Sequence, residues 1–169
     1  MLGPQAKVDA ASIPNVFQIC YVATDIEKAV DTFRAVNQTG PFYMIRDNAV
    51  PHSQGGSALT HVAIAWIGNT QMEIIQPLGG RDEIYRDYLP TDGSVMAFHH
   101  FCVRAATWDE FAGRKAFFEN LGCEIGFARE TGPYRTFYAD TRKQFGHFIE
   151  YVWIEDESMV TMNGQIPTY

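Results

Sequence analysis

The chain repeats itself, and that limits its fold more than any other feature. Gln18-Ile19-Cys20-Tyr21-Val22-Ala23 aligns with His100-Phe101-Cys102-Val103-Arg104-Ala105. Self-similarity of this kind means two copies of one supersecondary unit that bury a shared core. Each run is short and rich in β-formers, which predicts a strand. Each is followed by a capping box, Thr24-Asp25-Ile26-Glu27 in the first copy and Thr107-Trp108-Asp109-Glu110 in the second. The Thr oxygen accepts from the third helical amide, and the Glu reaches back to the Thr amide. In the helix that follows, Ile26, Val30 and Phe33 share a face. In the second, Trp108, Phe111, the stem of Lys115, Phe118 and Leu121 form a broad stripe, with Gly122 where a left-handed cap belongs. Strands are then predicted over about 42–46, 61–67 and 71–76, and again over about 125–129, 135–139 and 147–154. Gly68-Asn69 and Gly55-Gly56 mark turns.

Each half therefore reads β-α-β-β-β. Five segments follow: an N-terminal extension (1–15), module one (16–77), a linker with a short helix over Asp82–Tyr88 (78–97), module two (98–154) and a tail without strong pattern (155–169). A length of 169 residues is room for one domain or for two small modules sharing a core. The formal net charge of -7 argues against nucleic acid or anionic membrane as a partner. No apolar run reaches a membrane span, and Met1–Ile13 lacks the marks of a signal peptide. The three cysteines include no CxxC pair, which argues against a disulfide framework or thiolate zinc site and fits a cytoplasmic chain.

Four polar residues interrupt otherwise apolar strands. Gln18 and His100 open the matching first strands. Glu73 lies in Gln71-Met72-Glu73-Ile74-Ile75, and Glu150 in Phe148-Ile149-Glu150-Tyr151-Val152. A carboxylate in a buried strand has to be paired or coordinated. Two at equivalent points of a repeat would repel on converging unless a cation lay between them. One imidazole nitrogen and three oxygens suit Zn²⁺, Mn²⁺, Co²⁺ or Ni²⁺. Taken singly, each residue has an ordinary structural reading. Their placement at repeat-equivalent positions favours metal binding.

At Phe17-Gln18-Ile19-Cys20-Tyr21-Val22, Met72-Glu73-Ile74-Ile75-Gln76-Pro77, Phe98-His99-His100-Phe101 and Phe148-Ile149-Glu150-Tyr151, the chain resembles the vicinal oxygen chelate superfamily. Its members include glyoxalase-type and methylmalonyl-CoA-epimerase-like proteins. The resemblance implies an α+β fold in which two tandem βαβββ modules form a curved mixed sheet around a metal site. Carried over by position, the ligands are Gln18, Glu73, His100 and Glu150, a set similar to that of eukaryotic glyoxalase I. Epimerase-like members usually carry His where this chain has Gln18. The resemblance also implies Glu150 as the better base, with Glu73 as the alternative, and a homodimer.

The expected activity is that of a metal-dependent lyase, isomerase or epimerase. Such an enzyme abstracts a proton next to a metal-chelated carbonyl of a small-molecule substrate. The alternative is a metal-free protein that sequesters a small molecule, as bleomycin-resistance-like relatives do. Extradiol dioxygenases need two His and one carboxylate, which Gln18 disfavours. His99 should point away from the His100 face by strand alternation. Cys20 and Cys102 read as small pocket lining, and His52 and His61 as surface or structural residues. Arg104, Arg129 and Arg135 are the candidates to meet a substrate anion. The acidic balance disfavours a glutathione or CoA carrier and favours an apolar or aromatic acyl or carbonyl compound.

Overall fold

The computed structural model describes residues 15–155, 157–158 and 164–169. The expected N-terminal extension therefore lies outside the described residues, apart from Asn15, as does part of the expected tail. The elements run β1 (Asn15–Ala23), α1 (Ile26–Asn37), β2 (Tyr43–Pro51), β3 (Ser57–Ile67), β4 (Thr70–Gly80) and α2 (Glu83–Arg86). They continue with β5 (Met96–Arg104), α3 (Trp108–Asn120), β6 (Ile125–Arg129), β7 (Tyr134–Ala139), α4 (Arg142–Phe145) and β8 (Phe148–Ile154). No helix among the described residues is long and apolar enough to cross a membrane.

All eight strands form one sheet, ordered β2-β3-β4-β1-β5-β8-β7-β6. β1 runs parallel to β4, and β5 parallel to β8. β1 and β5 pair antiparallel and join the two βαβββ units. The repeat in sequence thus becomes an approximate two-fold in space, with the first and last strand of each unit at the centre of the sheet.

Alternation assigns the two faces. On the outer face Ile26, Ala29, Val30 and Phe33 of α1 pack on Ala63, Ala65 and Ile74. Phe111 and Phe118 of α3 pack on Phe137 and Tyr151, whose rings stack at 5.2 Å. The inner face holds one apolar cluster shared by both units, including Val22, Val62, Ile75, Phe127 and Tyr138. Helix α2 enters this cluster through Ile84 and Tyr85, and Ile166 joins it. Gly80, at the end of β4 just before α2, lets the chain run close against β3. Its φ is +73°, and a Cβ there would meet the Ser57 carbonyl oxygen at 2.2 Å.

Several local expectations are corrected. The first helix is capped by Asp25, not Thr24: its side chain accepts from the Glu27 and Lys28 amides. Asp is as strong a cap as Thr, and one position later it reaches the same free amides. The Thr107 cap forms as expected, but Glu110 reaches back to the Ala106 amide rather than to that of Thr107. The apolar stripe of α3 is narrower than expected, because Trp108 and Leu121 are exposed. Trp108 instead stacks on Phe111 beneath the Arg135 guanidinium. The interval between the strands expected over about 42–46 and 61–67 is mostly strand, since β2 and β3 run on to a tight turn at residues 52–56. The linker helix is shorter than Asp82–Tyr88. The chain end also carries more structure than its sequence suggested. Trp66 donates its amide to the Pro167 carbonyl and accepts from the Tyr169 amide, and Tyr43 donates its hydroxyl to Gln165.

Candidate metal centre

The four central strands carry, in order across the sheet, Glu73 on β4, Gln18 on β1, His100 on β5 and Glu150 on β8. Their positions follow from pairing. Cys20 lies opposite Glu73 on one side and His100 on the other, and Cys102 lies opposite Glu150. Gln18, Glu73 and Glu150 line one inner cavity. Within the single chain described, all four strands are neighbours in the sheet.

His100 Nε2 sits 3.1 Å from Glu150 Oε2 and 3.7 Å from Glu73 Oε2. The His100 ring is fully buried, and among the described residues its Nε2 meets these two carboxylates. Gln18 is also buried. Its amide nitrogen donates to Gln71 Oε1 at 2.6 Å, which leaves Gln18 Oε1 without a partner among the described residues. The Cys20 sulfur, a Glu73 oxygen and a His100 nitrogen lie within 4.8 Å of one another.

The two carboxylates differ in restraint. Glu150 is buried, and its Oε1 accepts from Thr136 Oγ1 at 2.6 Å and from the Tyr134 hydroxyl at 3.2 Å. Burial pushes its pKa up, but the His100 ring and the Thr136 hydroxyl outweigh this and leave the carboxyl below its ordinary range. Glu73 is half-buried and has no comparable clamp. Burial, and then the charge of Glu150, push it up to about 7. Burial and the adjoining carboxylates also push the Cys20 and Cys102 thiols well above their ordinary value, so both stay protonated.

A divalent ion fits this set. Two carboxylates converge on an imidazole nitrogen, and the amide oxygen of Gln18, on the strand between, lacks a donor. Two carboxylates here face one imidazole, which balances at most one of them, and a buried charge left unmatched is costly.

His99 overturns the alternation expectation. Cys20 pairs with His100 and Tyr21 with Phe98, so His99 is the extra residue of a β-bulge. The bulge turns it into the inner cluster, where it is buried against Tyr85, Tyr88, Tyr138 and Phe148. His52 and His61 lie outside the cluster. The Nδ1 of His52 accepts from the Gln54 amide, and that of His61 from the Asp47 amide. Arg135 lies between Trp108 and Trp153. Arg104 ends β5, half-buried. Of the three arginines only Arg129 lines the cavity.

Sequence reading overlooked Gln71, Thr136 and Tyr134, which hold the candidate ligands. Their signal was the run of hydroxyl side chains at every second position of β7, Tyr134, Thr136 and Tyr138, which a strand presents to one face. The cavity measures about 190 Å³. Its walls are mostly aliphatic and aromatic, with Ile45, Val62, Ile75 and Phe127 among them, and Arg129 is the one basic side chain among the described lining residues.

No protein-family model matches the chain, and no curated protein does. Solved structures do. A methylmalonyl-CoA epimerase in complex with methylmalonyl-CoA and ammonium is 16% identical, with a TM-score of 0.56 over 86% of this chain and 97% of that one. The epimerase from Mycobacterium tuberculosis is 14% identical, with a TM-score of 0.57 over 91% of this chain and 97% of that one. A variant of the Streptomyces coelicolor epimerase, in complex with 2-nitronate-propionyl-CoA, is 16% identical, with a TM-score of 0.57 over 86% and 97%. The chain shares their fold, a single sheet built from two βαβββ units.

Proposed function

We propose that the chain is a divalent-metal-dependent enzyme of the isomerase, epimerase or lyase kind, which moves a proton next to a carbonyl group. Gln18, Glu73, His100 and Glu150 would hold the ion. The observation that carries the reading is the convergence of two inner carboxylates on the buried Nε2 of His100. When bound, a divalent ion supplies Lewis acidity that polarises the substrate carbonyl and makes the adjacent C–H bond acidic.

The rest of the task falls to the side chains. Glu150 was the base expected by resemblance, but Thr136 and Tyr134 tether it. We therefore assign it the anchoring role. Glu73 has the freedom to receive the proton and to return it to the same or a neighbouring carbon. As the C–H bond breaks, its electron pair passes into the carbonyl. The mostly apolar walls lower the polarity around that step.

The cavity also bears on the substrate. A space of about 150 Å³ admits a benzene-sized ring, and this one is only slightly larger. It accepts a small apolar acyl or aryl group, so any bulky carrier stays outside the mouth. The epimerases of like fold bind CoA esters. Here the fit is to the acyl part, and Arg129 is available to a carboxylate on it.

The test begins with elemental analysis of protein purified without chelator, and after reconstitution with Zn²⁺, Mn²⁺, Co²⁺ and Ni²⁺. About one ion per chain is expected, and none under any condition refutes the reading. Metal-loaded protein is then incubated in D₂O with 2-methyl-acyl thioesters, α-hydroxy-carbonyls and 2-oxo-aldehyde hemithioacetals. Both deuterium entry and product are scored by NMR, because a shielded base can return the same proton. Absence of both, with tight binding of an aromatic ligand by metal-free protein, favours the sequestering alternative.

A homodimer is part of the proposal. Helices α1 and α3 lie over β3, β4, β7 and β8, away from the central pair β1 and β5. Phe98, exposed on β5, contacts Tyr21, Phe101 and His147. An aromatic strip of this kind is a typical interface core. Sedimentation at micromolar concentration should show twice the chain mass, and a monomer there contradicts the assignment.

A further inference from the structure

The ring of His99 connects the linker to the candidate centre. Its Nε2 lies 2.7 Å from the Ile84 carbonyl oxygen, at the start of α2, and its Nδ1 lies 2.8 Å from Nδ1 of His100. A carbonyl oxygen only accepts, so His99 Nε2 carries the proton of that bond. The two nitrogens of His99 meet another imidazole and a backbone carbonyl, not a carboxylate, and the ring is buried where an unpaired charge is costly, so the ring is neutral. With its one proton on Nε2, its Nδ1 is an acceptor. His100 Nδ1 therefore has to be the donor between the two rings. Whether His100 carries one proton or two, Nδ1 keeps one. Its Nε2, between Glu73 and Glu150, is the nitrogen left for a cation.

We propose that His99 is a positioning residue that, braced by the Ile84 carbonyl, fixes the tautomer and orientation of His100 and so makes Nε2 a metal ligand. The proposal rests on the metal reading given above. It also gives the bulge in β5 a purpose: without the extra residue, His99 would face the outer side of the sheet and could not reach His100 from behind. A metal-ligating imidazole gains basicity and a fixed ring plane when its second nitrogen donates to a firm acceptor. Here that acceptor is another imidazole, held in turn by a backbone carbonyl. The relay also ties α2 to the centre, so the linker between the two modules becomes part of the site.

Three proteins test this. His99→Phe keeps an aromatic ring against Tyr85, Tyr88 and Phe148 and removes both nitrogens. His99→Asn places an amide oxygen near the Nδ1 position and preserves the acceptor. Zinc affinity, measured by competition with a chromogenic chelator, should fall about 10- to 100-fold in His99→Phe. It should be largely restored in His99→Asn. The second readout is the imidazole ¹⁵N spectrum of metal-free wild-type protein at alkaline pH. His100 should show a protonated Nδ1 and an unprotonated Nε2, a signature that a purely packing role for His99 would not produce. A His100 protonated on Nε2 alone, or His99→Phe binding zinc as tightly as wild type, overturns the proposal. If His99→Phe fails to fold, the wild-type spectrum and the His99→Asn affinity decide. Failure of wild type to bind zinc would remove the coordination role along with the metal reading. The spectrum of the metal-free protein judges the relay separately.

Discussion

Glu73→Gln is expected to lower the rate of proton exchange by about 10²- to 10⁴-fold, the range a general base supplies, and excess metal should not restore it. Glu150→Gln should lose activity by a different route. The Glu150 carboxylate is held by the Thr136 and Tyr134 hydroxyls and lies 3.1 Å from His100. Removing its charge weakens the attraction for an ion and leaves the proton-accepting group of Glu73 in place. Activity of Glu150→Gln should therefore rise as metal is raised, while that of Glu73→Gln stays flat even when its metal content matches wild type. Exchange rates in D₂O, measured across a metal titration with parallel elemental analysis, separate the two. The reverse pattern, with Glu150→Gln flat and Glu73→Gln rescued, would return the base role to Glu150.

The features legible in sequence were those that repeat. Gln18 and His100 stood out because they occupy equivalent positions in the first strand of each unit. Glu73 and Glu150 stood out because a carboxylate inside an apolar strand is costly without a partner. The sheet order then follows from pairing the first and last strand of each unit. What escaped was non-repeating and depended on single-residue register. His99 was assigned to the outer face by alternation, and one extra residue in β5 reversed that. The support from Thr136 and Tyr134 depends on the pairing of β7 with β8, which places Tyr138 opposite Glu150 and Thr136 opposite Val152. No local pattern encodes that register. Helix α2 is only four residues long, too short for its apolar spacing to show which face of the sheet it would meet.

Metal should stabilise the protein strongly, and more so as pH rises. An ion at about 1,000 times its dissociation constant adds about 4 kcal/mol. For a chain of this size that corresponds to a rise in Tm of roughly 8–16 °C. The pH dependence follows from Glu73. Its carboxyl is raised from an ordinary 4.5 to about 7 by burial and by Glu150. A raised pKa means that the metal-free fold holds this proton more tightly than the unfolded chain does. That stabilisation is complete below about pH 4.5 and is lost as pH rises through about 7. The ion replaces the proton. It competes with it at low pH and relieves the two facing carboxylates at high pH, so the metal-induced shift should grow from about pH 5 to about pH 8. His99 acts in the opposite sense and on both forms. Its pKa is depressed from 6.5 to about 3, so stability is kept above 6.5 and lost as pH falls toward 3. Because it weighs on metal-free and metal-loaded protein alike, it largely cancels in the difference between them. Thermal melts in zinc and in chelator across this range measure that difference directly. A shift that is flat with pH, or that shrinks as pH rises, would mean that Glu73 does not face the ion.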